Sequence, residues 1–285
     1  MLREIAQNCF LWPVRRYFSK RTLEINVILF FICMIMLLPI REICISYNYP
    51  VAPYCLPHLF NYLYFQLAFF SVVLYFFSNV PFMNEWEAYR IIRMGRSYWC
   101  SINIWMIIVH SYLLMFNLLI WTIIPLTGIL EYDQTWGKLL YTLSAVGDDR
   151  MYFGISYKII SEYSSHQAMA ICFLLGGAVI SFLGLFMFCI SVWANRTTAL
   201  VSATVIVGLP LIAENYINLY YNKYMWLFSP ISWLRLEYIE NDFVRGLPDL
   251  QYIKAAITGL IILCIVFILI KVRSIDFKWN GEEIK

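Results

Sequence analysis

Apolar residues in this chain gather in six long stretches that carry almost no charge. These stretches cover about 25–46, 58–80, 101–126, 168–192, 197–217 and 253–271. A helix of about 20 apolar residues crosses the roughly 30 Å hydrocarbon core of a bilayer. Helices also satisfy their own backbone hydrogen bonds there, where no water is present to do so. The pattern predicts an all-α polytopic integral membrane protein with six transmembrane helices.

The composition supports a chain whose solvent is lipid. Hydrophobic residues make up 61% of the 285 residues and charged residues only 14%, whereas soluble domains average about 45–50% apolar and about 25% charged. The net charge of +3 is small, and the cations are scattered along the chain. A positively charged groove for nucleic acid is therefore excluded as the basis of function.

The distribution of Lys and Arg predicts the orientation of the spans, because these residues are enriched in cytoplasmic loops. With the N-terminus inside, the inner pieces hold more cations than the longer outer pieces, and most of them lie directly beside a span. These inner cations are Arg3, Arg15, Arg16, Lys20, Arg21, Arg90, Arg93, Arg96, Arg196, Lys271, Arg273, Lys278 and Lys285. We therefore expect a multi-pass protein of the plasma (inner) membrane with both termini in the cytoplasm.

The first 22 residues predict an interfacial helix that precedes the six-helix domain. Apolar side chains recur at helical spacing, and Arg3, Arg15 and Arg16 would face lipid head groups. Residues 23–285 then form the transmembrane domain. Its two long outer segments are 127–166 and 218–252.

The connection between the second and third spans predicts a short helix over about 85–94. Asn84 followed by Glu87 resembles a capping box. Acidic side chains lie near the N-terminus of this helix and basic ones near its C-terminus, as the helix dipole favours, and Gly95 lies where a left-handed cap would end it. Two interpretations stay open, namely a rigid contact that receives force from a cytoplasmic partner and an ordinary basic inner loop.

This architecture resembles the ABC-2-type permease, the membrane subunit of ATP-binding cassette exporters. Two short strings are also similar to those of small permeases of this kind. They are the string from Pro81-Phe82 through Tyr89-Arg90 to Gly95-Arg96 and Trp99, and the string Ser229-Pro230-Ile231-Ser232-Trp233.

The resemblance implies a coupling helix at about 84–95 that docks on the ATPase subunit, and short helices before the sixth span that dip into the outer leaflet. The side chains expected on the docking surface are the charged ones of this region, Glu85, Glu87, Arg90, Arg93 and Arg96. One departure is the outer segment 127–166, which is usually brief in the family.

The function that the resemblance implies is transport of an apolar or amphipathic cargo, such as a peptide, lipid or drug. The sequence contains no G-x-x-x-x-G-K-[ST] loop for phosphates, so ATP and Mg are expected on a separate P-loop ATPase subunit and no cofactor on this chain. The other expected partners are membrane lipids and a second permease subunit, identical or similar, with no nucleic acid.

Several polar and small residues inside the spans are candidates for special roles. Polar groups within a span are costly and are functional suspects, so the residues that we expect along a substrate path are Asn103, His110, Asn117 and Glu214. Interhelical hydrogen bonding is the alternative for His110. Close helix packing, within the subunit or across a dimer, is expected at Gly176, Gly177, Ser181 and Gly184.

Two other classes of function stay open, an integral membrane enzyme acting on a lipid or peptide and a non-catalytic sensor or scaffold. Glu85, Glu87 and Arg90 are similar to the EExxxR element of intramembrane prenyl-protein proteases, but Trp86 separates the two glutamates. The three histidines show no paired metal arrangement. The sequence therefore favours a transport subunit over an enzyme.

Overall fold

The computed structural model describes residues 17–80, 91–93, 95–132, 134–216, 219–239 and 247–272. Helices account for nearly all of the secondary structure in these ranges, which include one isolated bridge between Val51 and Leu130. In chain order the helices are α1 (Lys20–Tyr47), α2 (Leu56–Asn61), α3 (Leu63–Phe77), α4 (Arg96–Ile123), α5 (Gly137–Val146), α6 (Tyr157–Glu162), α7 (Ser165–Trp193), α8 (Arg196–Tyr216), α9 (Leu219–Phe228) and α10 (Leu250–Val272). Short 3₁₀ turns follow α4 at Ile124–Leu126 and α9 at Ser232–Leu234 and Leu236–Tyr238.

Five of the helices in the described ranges are long and apolar enough to cross a membrane, namely α1, α4 with its 3₁₀ turn, α7, α8 and α10. The prediction of an all-α membrane protein agrees with this. The second predicted span, however, is not one continuous helix, because Tyr62 adopts an extended conformation (φ −89°, ψ 117°) between α2 and α3. The 15 residues of α3 rise only about 22 Å, so six spans remain a prediction.

Helix α7 is the centre of the bundle. It packs against α4, α8 and α10, while α1 contacts α3 and α4, and α3 contacts α8. In the most apolar stretch of α7, 72% of the residues are buried, whereas in the most apolar stretch of α10 only 22% are. The outward-facing side chains of α10 include Ile262, Leu263, Val266 and Ile270. An apolar surface of this extent is stable in lipid rather than in water.

Small residues allow α7 and α4 to approach closely. A Cβ added to Gly176 would lie 2.8 Å from the Met115 side chain, and one added to Gly184 would lie 2.6 Å from that of Ile107. The ring of Tyr112 covers Gly177 in the same way, and the Ser181 hydroxyl donates to the Gly177 carbonyl of its own helix (2.7 Å). These glycines therefore serve packing within one chain.

The short helices cover one end of the bundle, which we call the capped end. Here α1, α4 and α8 finish and α2, α7 and α10 begin. Helix α7 opens with a capping box between Ser164 and Gln167, and the Trp136 indole donates to the Tyr163 carbonyl (2.9 Å). The distribution of Lys and Arg predicts that this end faces outward. Helices α5, α6 and α9 lie in the predicted outer segments 127–166 and 218–252.

Two predicted elements lie wholly or partly outside the described residues. Residues 1–16, most of the predicted interfacial helix, lie outside the described residues. Helix α1 begins at Lys20 with the Ser19 hydroxyl as its N-cap. Of the predicted helix over 85–94, only residues 91–93 are described, and they are helical. Gly95 has the positive φ expected there (86°), but its ψ of 154° is not that of a left-handed helical cap.

Candidate functional site

The most concentrated polar structure in the described chain surrounds residues 229–239 at the capped end. Residues 229–236 are buried although this stretch has only single 3₁₀ turns. Irregular backbone in a membrane bundle is stable only where protein covers it or where it lines a cavity. We call this stretch the 229–239 segment.

An ion pair anchors the 229–239 segment to α8. The guanidinium Nη1 of Arg235 donates to the Glu214 carboxylate, and Arg235 is only 7% exposed. Its Cζ atom also lies 4.4 Å from the centroid of the Tyr238 ring. Burial lowers the pKa of Arg235 from its usual value, while nearby Tyr238 and Glu237 raise it. A cation held in such surroundings needs its carboxylate partner to remain charged at low cost.

Aromatic side chains fold the same segment onto α9. The rings of Trp226 and Tyr238 stack with centroids 4.1 Å apart and planes inclined by 23°, and the Trp233 indole donates to the Trp226 carbonyl (3.0 Å). These contacts fix Tyr238 against the Arg235 guanidinium. Helix α9 therefore forms part of the site.

Further hydrogen bonds join the segment to the divided second apolar stretch and to α6. The Gln66 amide of α3 donates to the Ile231 carbonyl (3.2 Å), and the Asn61 amide of α2 donates to the Glu237 carboxylate. From α6, the Lys158 ammonium donates to the Glu237 carbonyl (2.6 Å). The segment thus connects α2, α3, α6 and α8.

Several buried polar atoms of this region have no hydrogen-bond partner among the described protein atoms. They belong to His58 (both ring nitrogens), Asn61, Gln66, Trp226, Ser232 and Arg235. Further atoms of this kind, among them ones on Tyr17 and Arg21, lie away from this segment. Buried polar groups are ordinarily satisfied, so the larger number near the 229–239 segment is a feature of this end.

The four residues predicted along a substrate path do not meet at one place. Glu214 belongs to the network just described. The Asn103 amide donates to the Trp99 carbonyl of its own helix (3.0 Å), and His110 is buried with its ring centroid 5.6 Å from that of Tyr17 and 5.7 Å from that of Phe76. Fourteen residues separate Asn103 from Asn117, which is about 21 Å along α4.

Asn117 takes part in a second, smaller polar cluster. Its amide donates to Asn26 Oδ1 (2.7 Å), which also accepts from the Trp121 indole (2.9 Å), and the Asn26 amide donates to the Thr22 carbonyl (2.7 Å). This cluster joins α1 to α4 and leaves the Asn26 amide satisfied. It fits interhelical hydrogen bonding better than a substrate contact.

The predicted docking residues lie at the opposite end from the polar network where the structure describes them. Arg93 and Arg96 are exposed there. Glu85, Glu87 and Arg90 lie outside the described residues.

Sequence reasoning missed Arg235, the central cation of the site. Sequence analysis assigned it no role within the outer segment 218–252, although it stands between buried Trp233-Leu234 and Leu236 in an apolar stretch. A single arginine within such a stretch was the available signal. Its partner, 21 residues earlier, could be found only from the fold.

Comparisons of the chain with family models, curated proteins and solved structures found no match.

Proposed function

We propose that this chain is the permease subunit of an ABC exporter, a plasma-membrane protein with both termini in the cytoplasm. The observation that carries the proposal is the 229–239 segment, where short helical turns between the last two long helices are held by a buried ion pair. This is the region that the resemblance to ABC-2-type permeases expects to contain short helices. Further support comes from the five long apolar helices and from the charged string beside Gly95.

In this proposal the ATPase pushes on the bundle at its opposite end, through the coupling helix at about 84–95. The predicted coupling helix would lie between α3 and α4 in the chain, and α4 packs directly on the central helix α7. The motion therefore has a short route from the docking surface to the bundle centre. ATP supplies the differential binding between two states of a permease dimer, which is what a driven transition needs.

At the capped end, the 229–239 segment would respond to the same motion. It is bonded to α3 and to α8, which also pack against each other. A change in the angle between these two helices would strain the Gln66 and Glu214 contacts together. We propose that the segment closes the outer end of the path for an apolar or amphipathic cargo, with ATP and Mg held by the partner subunit.

The test is capture of a P-loop ATPase by the purified permease. The full chain, expressed with its neighbouring reading frames and purified in mild detergent, is expected to retain a P-loop ATPase. Charge reversal at Arg93 and Arg96, which are exposed, together with charge reversal at Arg90, should release it, because these cations would set the docking register. Reversal of Lys254, an exposed cation at the capped end, is the matched control and should leave the ATPase bound.

Three results would contradict the proposal. The first is retention of the ATPase by the triple Arg variant with coupled activity intact. The second is turnover of a lipid or peptide by the permease alone that is lost on His110→Ala, which would favour a membrane enzyme. The third is a protein that neither retains an ATPase nor turns over a lipid or peptide, which would favour a sensor or scaffold.

A further inference from the structure

A cavity of about 580 Å³ lies at the capped end between the last turns of α1 and one face of α5. Ile43 and Tyr47, one helical turn apart, form the α1 wall. Six residues of α5 form the other wall, and they are Lys138, Leu139, Tyr141, Thr142, Leu143 and Val146. The volume falls within the roughly 300–1,000 Å³ of small-molecule sites.

The cavity is apolar at its floor and aromatic at its rim. Ile43, Leu139 and Leu143 are buried, whereas Tyr47 and Tyr49 are exposed. Tyrosines at a membrane boundary place the ring against apolar groups and the hydroxyl in water. The floor therefore suits a hydrocarbon chain, and the rim suits the polar end of the same molecule.

The two charged residues that line the cavity, Asp148 and Lys138, differ in whether they have a partner of opposite charge. At one end the Asp148 carboxylate accepts from Arg150 Nε (2.9 Å), Arg150 Nη2 (2.7 Å) and the Arg150 amide (3.0 Å), so its charge is neutralised. At the other end Lys138 has no carboxylate within ion-pair distance among the described residues. The N-terminus of the ten-residue helix α5 lies beside Lys138 and contains no acidic residue in its first turn. Its N-cap residue, Trp136, makes no side-chain cap, although the Thr135 hydroxyl accepts from the Gly137 amide (3.4 Å). Both features favour an anion at this end.

We propose that this cavity binds a single-chain amphiphile with an anionic head group, the head at Lys138 and the chain along α5. The carboxylate of a free fatty acid and the phosphate of a lysolipid share this chemistry. The binding is independent of transport and does not require the ATPase, so its failure would leave the proposed function untouched.

The test uses four probes with 18-carbon chains, namely an acid, a monoalkyl phosphate, an alcohol and an amine. Their binding to the full chain in neutral detergent is measured by native mass spectrometry. The acid or the phosphate should bind about three- to fivefold more tightly than the alcohol, as expected for one exposed ion pair, and the amine least tightly. The ratio of acid to phosphate tells a fatty acid from a lysolipid.

Two variants with matched controls locate the site. Thr142→Trp fills the cavity from an exposed position and should abolish binding. Thr204→Trp should not, because Thr204 is equally exposed and its hydroxyl likewise donates to the carbonyl four residues earlier, but it lies away from the cavity. Lys138→Gln should remove the preference for the anionic probes, and Lys254→Gln should keep it.

Equal binding of the alcohol and of both anionic probes by the unmodified protein would overturn the proposal, as would tighter binding of the amine. Retention of the acid by a folded Thr142→Trp variant would do the same. Because Lys138 is exposed, its substitution should not unfold the protein, and the head-group test survives even if the tryptophan variant fails to fold.

Discussion

Arg235 donates to Glu214 across 21 residues of sequence, joining the last turn of α8 to the irregular segment before α10. The Arg235 side chain is 8% exposed and that of Glu214 25%. Neither charge is fully hydrated, so each depends on the other. This pair holds the two parts of the capped end that the proposed function requires to move together.

Removal of one member of this pair should destabilise the protein more than removal of both. Arg235→Met leaves the Glu214 carboxylate without its cation, at a cost of about 3 kcal/mol in free energy of unfolding. The double variant Glu214→Gln with Arg235→Met should recover most of that loss. Denaturant unfolding in mild detergent measures both, and strictly additive losses would show that the two side chains do not interact.

Substitution of Gly95 should destabilise the protein because of the backbone conformation alone. Its φ of 86° is a conformation that other residues rarely adopt, and no atom lies within 4 Å of an added Cβ. Gly95→Ala should therefore cost about 1–3 kcal/mol in stability. Gly259→Ala, in the middle of α10 with equally open space, is the control and should be neutral or stabilising by up to about 1 kcal/mol. Equal thermal stability of the two variants would refute this explanation.

Gly184 should resist substitution for a different reason, the close approach of α7 to α4. An added Cβ meets Ile107 at 2.6 Å and the Phe77 ring at 3.2 Å, so Gly184→Ala should lose about 1–3 kcal/mol by overpacking. Ile107→Ala in the same chain should restore part of this loss by making room. Gly208→Ala, where nothing lies within 4 Å, controls for helix propensity, and a similar melting temperature for both alanine variants would contradict the packing account.

The ion pair between Asp148 and Arg150 should weaken only at acidic pH. Hydrogen bonds from the Arg150 side chain and amide lower the pKa of Asp148 from 3.8 to about 2. Because the folded-state pKa is depressed, the ion pair contributes fully above pH 3.8 and is lost as the pH falls towards 2. Hydrogen exchange of the Arg150 amide, corrected for its intrinsic rate, should lose protection over that window and not between pH 5 and 8. An Asp148→Asn variant should lack this transition.

The sequence predicted the long helices well because their apolar stretches are continuous, as in α7 and α10. The same criterion missed the break at Tyr62, where hydropathy continues but the backbone turns extended. Sequence analysis named Glu214 as a polar residue within a span but did not identify Arg235 as its partner. Pairing across 21 residues depends on how α8 and the 229–239 segment fold back. The cavity was also beyond pattern analysis, because Ile43 and Leu143 meet only through tertiary packing of α1 and α5.

The most direct measurement of the proposed function is the ATP hydrolysis rate of the partner ATPase in lipid nanodiscs with and without this permease. We predict that the permease changes the rate and that charge reversal at Arg93 and Arg96 abolishes the change, while Lys254→Glu preserves it. The same rate with and without the permease, or a response that survives the Arg reversals, would contradict the account.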